Sequence, residues 1–451
     1  MDNRQRARTE QTAGKKEGRK KPAKPKKYPN HTWFDPLQFL MPCMFPWQER
    51  DEDERNYRSY LGNVQFKSID TVLLTIIIIL CGAGLVMMFS ASYAWAINAT
   101  RDNNGEYYVT RQLVFLLIGF GLIVFLSSKL FDYHMLRSIP VTYGALIVSM
   151  GLVGVVLVTG IGDDANGATR WIQIGGFRFQ PSELLKLGLI LYLSRLLSKY
   201  SECLGSKAPR SKEFVVVCGW GAVVVGCAVL MYKEPHLSGM IIICMIGAFM
   251  LFISEVRMEV FIFLMMAGIA GGSLLVMAKY NDGGYVADRI NGWFYTWDAE
   301  NRDIAWQTRN SLIAIGSGGW WGLGLGNSRQ KFLYLPESHN DFVFSIVCEE
   351  LGLATGIVII TLFVILAVKG FFVAAQAPDR YGMLMAGGIT AHFIVQVILN
   401  IAVVSNAMPN TGISLPFFSY GGSAILIQLI EVGLLLNISK QRYVRPDKEK
   451  K

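Results

Sequence analysis

Ten apolar runs follow one another after residue 70, and nothing else in the sequence restricts the fold as strongly. They cover 71–90, 112–127, 140–160, 182–198, 214–231, 238–254, 258–278, 342–368, 383–404 and 424–439, the first reading TVLLTIIIILCGAGLVMMFS. A bilayer's hydrocarbon core is about 30 Å thick, and a helix needs roughly 20 mostly apolar residues to cross it. Backbone groups in lipid must bond within their own segment, which selects helices. Composition agrees: 52% of residues are hydrophobic, 17% are charged and mean hydropathy is +0.35. The expectation is an all-α integral membrane protein of about ten transmembrane helices.

The formal net charge of +9 belongs almost entirely to the first 30 residues, where eleven Lys/Arg face three acids. Rich in Lys, Arg, Pro and Gly, this stretch reads as a disordered cytoplasmic tail in contact with anionic membrane lipids, not as a nucleic-acid binder. The tail runs through residue 69 and includes a short segment, 34–47, broken by Pro36, Pro42 and Pro46 and suited to the membrane interface. No cleavable signal peptide is expected, because the first long apolar run is too long for one. Seven cysteines, without a CxxC pair, read as packing residues.

With the N-terminus inside, the segments 128–139, 195–213, 255–257, 369–382 and 440–451 are inside as well and hold sixteen Lys/Arg. The short loops of the opposite side, 91–111, 161–181, 232–237 and 405–423, hold five. That bias makes both termini cytoplasmic, residues 441–451 being a short C-terminal tail. Residues 279–341 then form a large extracellular loop between helices seven and eight. It carries five of the ten Trp, six basic residues and many acids and amides. Aromatic faces suit sugars and cations suit phosphates, although an interfacial aromatic belt with re-entrant segments has the same composition.

Ionisable groups at membrane depth cost about 2.5–3.5 kcal/mol each on insertion scales, so each implies a pairing or a function. In Gln180-Pro181-Ser182-Glu183-Leu184-Leu185-Lys186, the spacing puts Glu183 and Lys186 on one helical face, where they can neutralise each other. Pro336-Glu337-Ser338-His339-Asn340-Asp341-Phe342 leads into a helix carrying Glu349 and Glu350. Four carboxylates and a His exceed what capping needs, although capping alone accounts for an acid at Asp341. The stretch 409–423, PNTGISLPFFSYGGS, cannot be a plain helix and reads as a folded re-entrant wall.

At these clusters the chain resembles the SEDS family (shape, elongation, division and sporulation), the FtsW, RodA and SpoVE proteins of bacterial cell-wall synthesis, from about residue 70 to 440. Asn166 to Ile172 with Gln180 to Glu183 is similar to its NGAxRWI…QPSE segment. Gly324 to Ser328 with Lys331 and then Leu335 to Phe342 is similar to its GLGxSxxK…LPExHxDF loop, and Thr411 to Ser423 to its TGIxLPFxSYGGS signature. The spelling leans to the FtsW/SpoVE branch. The resemblance implies polymerisation of peptidoglycan glycan strands from lipid II, with undecaprenyl diphosphate leaving, in cell division or cell-shape maintenance. It places the protein in the bacterial cell membrane, with the division septum as one site. It also implies a class B penicillin-binding protein and other divisome proteins as partners. The family's proposed catalytic Asp lies some ten residues after an Arg, which makes Asp298, after Arg289, the match. Asp298 falls one residue early, a neighbouring Pro is absent, and Glu300 and Asp303 follow closely. Between helices five and six, His236 stands where the family has a carboxylate, so that carboxylate's role is not carried over and His236 reads as a cap or turn residue.

Glycosyl transfer from a lipid diphosphate needs a base for the attacking hydroxyl, here Asp298, and positive charge for the leaving group. Arg170, Lys186, Arg289, Arg329 and Lys331 are candidates, as is a divalent metal such as Mg or Mn held by carboxylates. Glu183, Glu337, His339, Asp341 and Ser419 complete the expected substrate-binding set. Departure on one face and attack from the other predicts inversion at the anomeric carbon. A lipid II flippase and a non-catalytic scaffold for a transpeptidase are the rival readings.

Overall fold

The structure is a computed structural model that describes residues 64–66, 68–99, 104–128, 130–159, 170–174, 177–205, 208–234 and 236–443. The basic tail, the segment 34–47, Cys43, the start of the NGA motif and residues 444–451 lie outside these residues.

Each of the ten apolar runs falls in a helix: α1 (Thr71–Ala99), α2 (Tyr107–Leu126), α3 (Ile139–Thr159), α4 (Pro181–Lys199), α5 (Arg210–Lys233), α6 (Leu237–Ile253), α7 (Met258–Asn281), α10 (Val343–Gln376), α11 (Arg380–Val404) and α12 (Gly422–Lys440). Several outrun their apolar stretch, because a helix continues through polar residues until something stops it. Pro181 opens α4 at a position where its missing N–H costs nothing. Pro378 follows the end of α10, and Asp379 caps α11 by accepting from the Gly382 amide. Eight of these helices are long and apolar enough to cross a membrane. The exceptions are α4, with Glu183 and Lys186, and α6, which has 17 residues. The protein is therefore an all-α, multi-helix membrane-spanning one.

Segment 279–341 is folded, with α8 (Tyr285–Phe294), a 3-10 turn (Ala299–Asn301) and α9 (Trp306–Gly318). Indole N–H groups tie it down: Trp293 donates to the Asn406 carbonyl at 3.0 Å and Trp306 to that of Tyr334 at 2.8 Å. Trp297, Trp320 and Trp321 remain exposed. Two short antiparallel ribbons were not expected. One pairs β2 (Ile172–Ile174) with β3 (Phe177–Phe179). The other pairs β1 (Val64–Phe66) with β4 (Gln441–Tyr443), so these residues, assigned above to the two tails, form a ribbon beside the bundle.

At the centre, α11 and α12 are mostly buried; α12 packs on α2, and α11 on α10, α4 and α6. By contrast α7 buries only Met258. At the middle of α11, the imidazole Nδ1 of His392 lies 3.0 Å from the Glu431 carboxylate of α12, both side chains fully buried.

A break in α10 anchors segment 279–341. Gly352 has φ +83°, and the interrupted helix leaves the Glu349 and Glu350 carbonyls free to accept from the amides of Leu323 and Gly324, each at 2.9 Å. The two side chains hold the next residues. Glu350 accepts from Lys331 Nζ and Ser90 Oγ at 2.8 and 2.7 Å and from the Gly326 amide at 2.9 Å. Glu349 accepts from the Ser328 hydroxyl and the Arg329 amide.

Removing one member of a buried ion pair strands the other. Lys331→Met is expected to cost about 3–5 kcal/mol in reversible unfolding in detergent. Glu431→Leu should also destabilise, by leaving the buried His392 Nδ1 without its hydrogen-bond partner, whereas the double change His392→Leu/Glu431→Leu should recover most of the loss, a double-mutant cycle being the check.

Candidate functional site

The described residues enclose a cavity of about 740 Å³. Its walls are the starts of α2, α4, α6 and α12, the β2–β3 ribbon and the segments around 337–341 and 412–422. The latter two are irregular backbone at bundle depth, laced together by side chains. Asn400 Nδ2 donates to the carbonyls of Asp341 and Ile413 at 2.8 and 2.6 Å. Ser419 Oγ donates to the Asn340 carbonyl at 2.6 Å and accepts from the Leu415 amide at 2.7 Å. Gln112 takes both the Gly421 amide and the Ser419 carbonyl at 3.3 Å. The start of α4 joins through the Gln180 amide, which donates to Ser423 Oγ at 3.1 Å. The stretch 409–423 is thus non-helical, as its sequence predicts, and several of its backbone groups are satisfied by side chains.

Six of the ten expected site residues meet here: Arg170, Glu183, Lys186, Glu337, His339 and Asp341 all line the cavity. Lys186 Nζ lies 2.8 Å from Glu183 Oε1, the i,i+3 pair anticipated above. Asp341 is reached from the cavity yet surrounded by protein. Burial, reinforced by the neighbouring Glu337, pushes its carboxyl up to about 7, against the pull of Arg170 and Arg289. Gly412, at φ +69°, admits that carboxylate: a Cβ there would stand 3.0 Å from Asp341 Oδ2. His339 is held down to about 4 by burial and therefore stays neutral at pH 7, an aromatic surface against Tyr108 with ring centroids 4.8 Å apart.

The other four lie outside the cavity lining. Lys331 pairs with Glu350 at 2.8 Å, within the network that anchors segment 279–341. Ser419 is a tie between two wall segments. Arg289, on α8, donates to Gln307 at 3.3 Å, and Gln307 accepts from Asn410 at 2.6 Å, a chain leading from segment 279–341 to the cavity's edge. Asp298 is exposed at the start of the 3-10 turn, its carbonyl accepting from Arg309. Arg329, also exposed, is fixed by its amide. His236 does sit in the N-cap position of α6, without a side-chain capping bond, and its ring lines the cavity, where burial holds it down to about 3 and neutral. Beside it the buried Glu234 is pushed up to about 8 by burial.

The sequence reading missed Trp95, Tyr108, Arg111, Arg178 and Gln396, all in the lining. A signal existed for two of them. Arg111 and Arg178, like Arg170, are among the five basic residues that run against the charge bias of the loops. Four cations, Arg111, Arg170, Arg178 and Lys186, therefore face a space shared with Glu183, Glu337 and Asp341. Among the described residues no three His, Cys, Asp or Glu side chains come together as a metal-ligand set, so the divalent ion raised above finds no such set.

Comparison with known proteins bears on what this arrangement serves. The chain is 36% identical to the probable peptidoglycan glycosyltransferase FtsW of Trichlorobacter lovleyi, over 82% of this chain and 93% of that one. It is also 36% identical to the stage V sporulation protein E of Bacillus subtilis, over 83% and 97%. The fold is similar to a chain of a peptidoglycan synthase complex (TM-score 0.65, 24% identity, 83% of this chain and 98% of that one). It is likewise similar to the rod shape determining protein RodA of Thermus thermophilus (TM-score 0.58, 24% identity, 84% and 98%). The cell cycle protein family of FtsW, RodA and SpoVE matches residues 71–444, and the chain belongs to that family.

Proposed function

We propose that the protein is a membrane-embedded glycosyltransferase that polymerises peptidoglycan glycan strands from lipid II in cell division or cell-shape maintenance. The observation that carries this reading is the convergence of Arg111, Arg170, Arg178 and Lys186 on one cavity at the mouths of lipid-facing helices, which suits the diphosphate of a lipid-linked sugar. In this reading all ten apolar helices cross the membrane, both termini are cytoplasmic, and the segment carrying α8 and α9 is extracellular. Exposed Trp297, Trp320 and Trp321 then offer flat faces for sugar rings. A class B transpeptidase is the partner expected to cross-link the product.

In the reaction, a sugar hydroxyl of one substrate attacks the anomeric carbon of another. The new C–O bond forms as the bond to the diphosphate breaks, the hydroxyl proton passes to a carboxylate base, and the lipid diphosphate leaves as an anion stabilised by the cavity cations. Attack opposite the leaving group inverts the anomeric centre. Asp298 is the proposed base, carried by its position after Arg289. Arg309 fixes its backbone by donating to its carbonyl and to that of Thr296. Asp341 is the second candidate, favoured by its place in the cavity.

Wild-type and Asp298→Asn proteins are compared with lipid II in liposomes. Asp298→Asn is expected to lose strand formation by roughly 10²–10⁴-fold. If it polymerises normally, the base assignment passes to Asp341. If the wild type moves lipid II across the bilayer but makes no strands, the polymerase reading fails in favour of the flippase. A second prediction concerns pH. Asp341 is neutral below about 7 and negative above it, and the added charge opposes the diphosphate. The KM for lipid II should therefore rise as pH increases from about 6 to about 8, and Asp341→Asn should flatten that rise.

A further inference from the structure

A second, smaller cleft of about 90 Å³ lies at the other end of the bundle, between the start of α3 and the end of α4. Ile139 and Tyr143 come from α3; Tyr192, Arg195, Lys199 and Tyr200 come from α4 and its C-cap. The rings of Tyr143 and Tyr192 meet edge to face at 5.2 Å, and Lys199 Nζ stands 5.0 Å from the centroid of the Tyr200 ring. Arg195 is half-buried, yet among the described residues neither it nor Lys199 has a carboxylate within 4.0 Å. Three carboxylates of this end are engaged elsewhere. Asp379 accepts from Tyr133 and lies 4.0 Å from Arg137, Glu213 pairs with Arg257, and Asp132 pairs with His134.

A half-buried guanidinium without a counter-charge is an unfinished ion pair, and its planar fork matches phosphate oxygens. The ammonium of Lys199 and the tyrosine hydroxyls supply further donors to the same group. Beyond the cleft, α3 exposes Ile147, Val148, Val155 and Val158, an apolar strip along which acyl chains can lie. A free phosphate would satisfy only the polar half of this surface; an anionic phospholipid satisfies both. We propose that this cleft binds the headgroup of an anionic phospholipid. Its placement in the cytoplasmic leaflet rests on the orientation proposed above, but the chemistry of the cleft does not depend on the glycan-polymerising reading.

The test uses the full chain in nanodiscs of phosphatidylcholine with a minority of phosphatidylglycerol, with retained lipid counted by native mass spectrometry. The wild type should retain phosphatidylglycerol in preference to phosphatidylcholine. Arg195→Gln/Lys199→Gln should weaken that retention by roughly tenfold or more. Arg210→Gln/Lys212→Gln, which removes two cations of the same end outside the cleft, should leave it within about twofold. Lys199→Gln alone, at an exposed position, should give an intermediate loss if the double variant fails to fold. Three results overturn the proposal: no phosphatidylglycerol preference in the wild type, equal losses in the cleft and control variants, or displacement of phosphatidylglycerol by millimolar inorganic phosphate, which marks a simple anion site.

Discussion

The amide of Asn400, donating at once to the carbonyls of Asp341 and Ile413, is the interaction on which the cavity rests. Non-helical backbone cannot face lipid, and it persists at this depth only where protein satisfies it. Gln112, Gln428 and Ser419 do the same for neighbouring peptide groups, the Phe417 amide donating to Gln428 at 3.1 Å. Three of these side chains come from helices and the fourth from the irregular segment itself, so a handful of amides and one hydroxyl give a helical bundle a polar chamber. Each is buried and has little freedom to serve another purpose.

The chamber's charge follows from that construction. Burial among packed walls raises the cost of an isolated carboxylate and strengthens the attraction between unlike charges. Burial pushes Asp341 and the nearby Glu234 up towards neutrality, so the site is more positive than the residue count suggests. His339 and His236, held neutral, contribute ring faces and no charge. Segment 279–341 is secured separately, through the carbonyls and side chains of Glu349 and Glu350 at the break in α10. This division of labour leaves the loop's aromatics free while its base is fixed.

Much of this was legible in the sequence. Hydrophobic run length located the ten apolar helices, eight of them long and apolar enough to cross a membrane. Charged residues at depth pointed to Glu183, Lys186 and Asp341, because lipid penalises charge without purpose. Pattern could not tell a carboxylate that faces a cavity from one that staples a loop. Glu337 and Asp341 lie within fifteen residues of Glu349 and Glu350, and only the turn of the chain at Gly352 separates their fates. Nor could pattern show that the Lys331 ammonium pairs with Glu350 in the loop that Glu349 and Glu350 hold. The ribbon pairing 64–66 with 441–443 depends on two segments nearly the whole chain apart, and no local signal records such a meeting.

The bare surface of α7 has a consequence for how this chain can vary. On α11 nearly every side chain meets another, so a replacement must match volume and shape as well as polarity. On α7, where among the described residues only Met258 is fully buried, transfer into hydrocarbon is the main filter that the rest of the chain leaves. Leu, Ile, Met, Val and Phe are close to synonymous there, and the helix can drift through sequence space at a rate its central neighbours cannot follow. Two segments of similar length in one bundle thus carry very different amounts of sequence information, and the difference is set by what touches them.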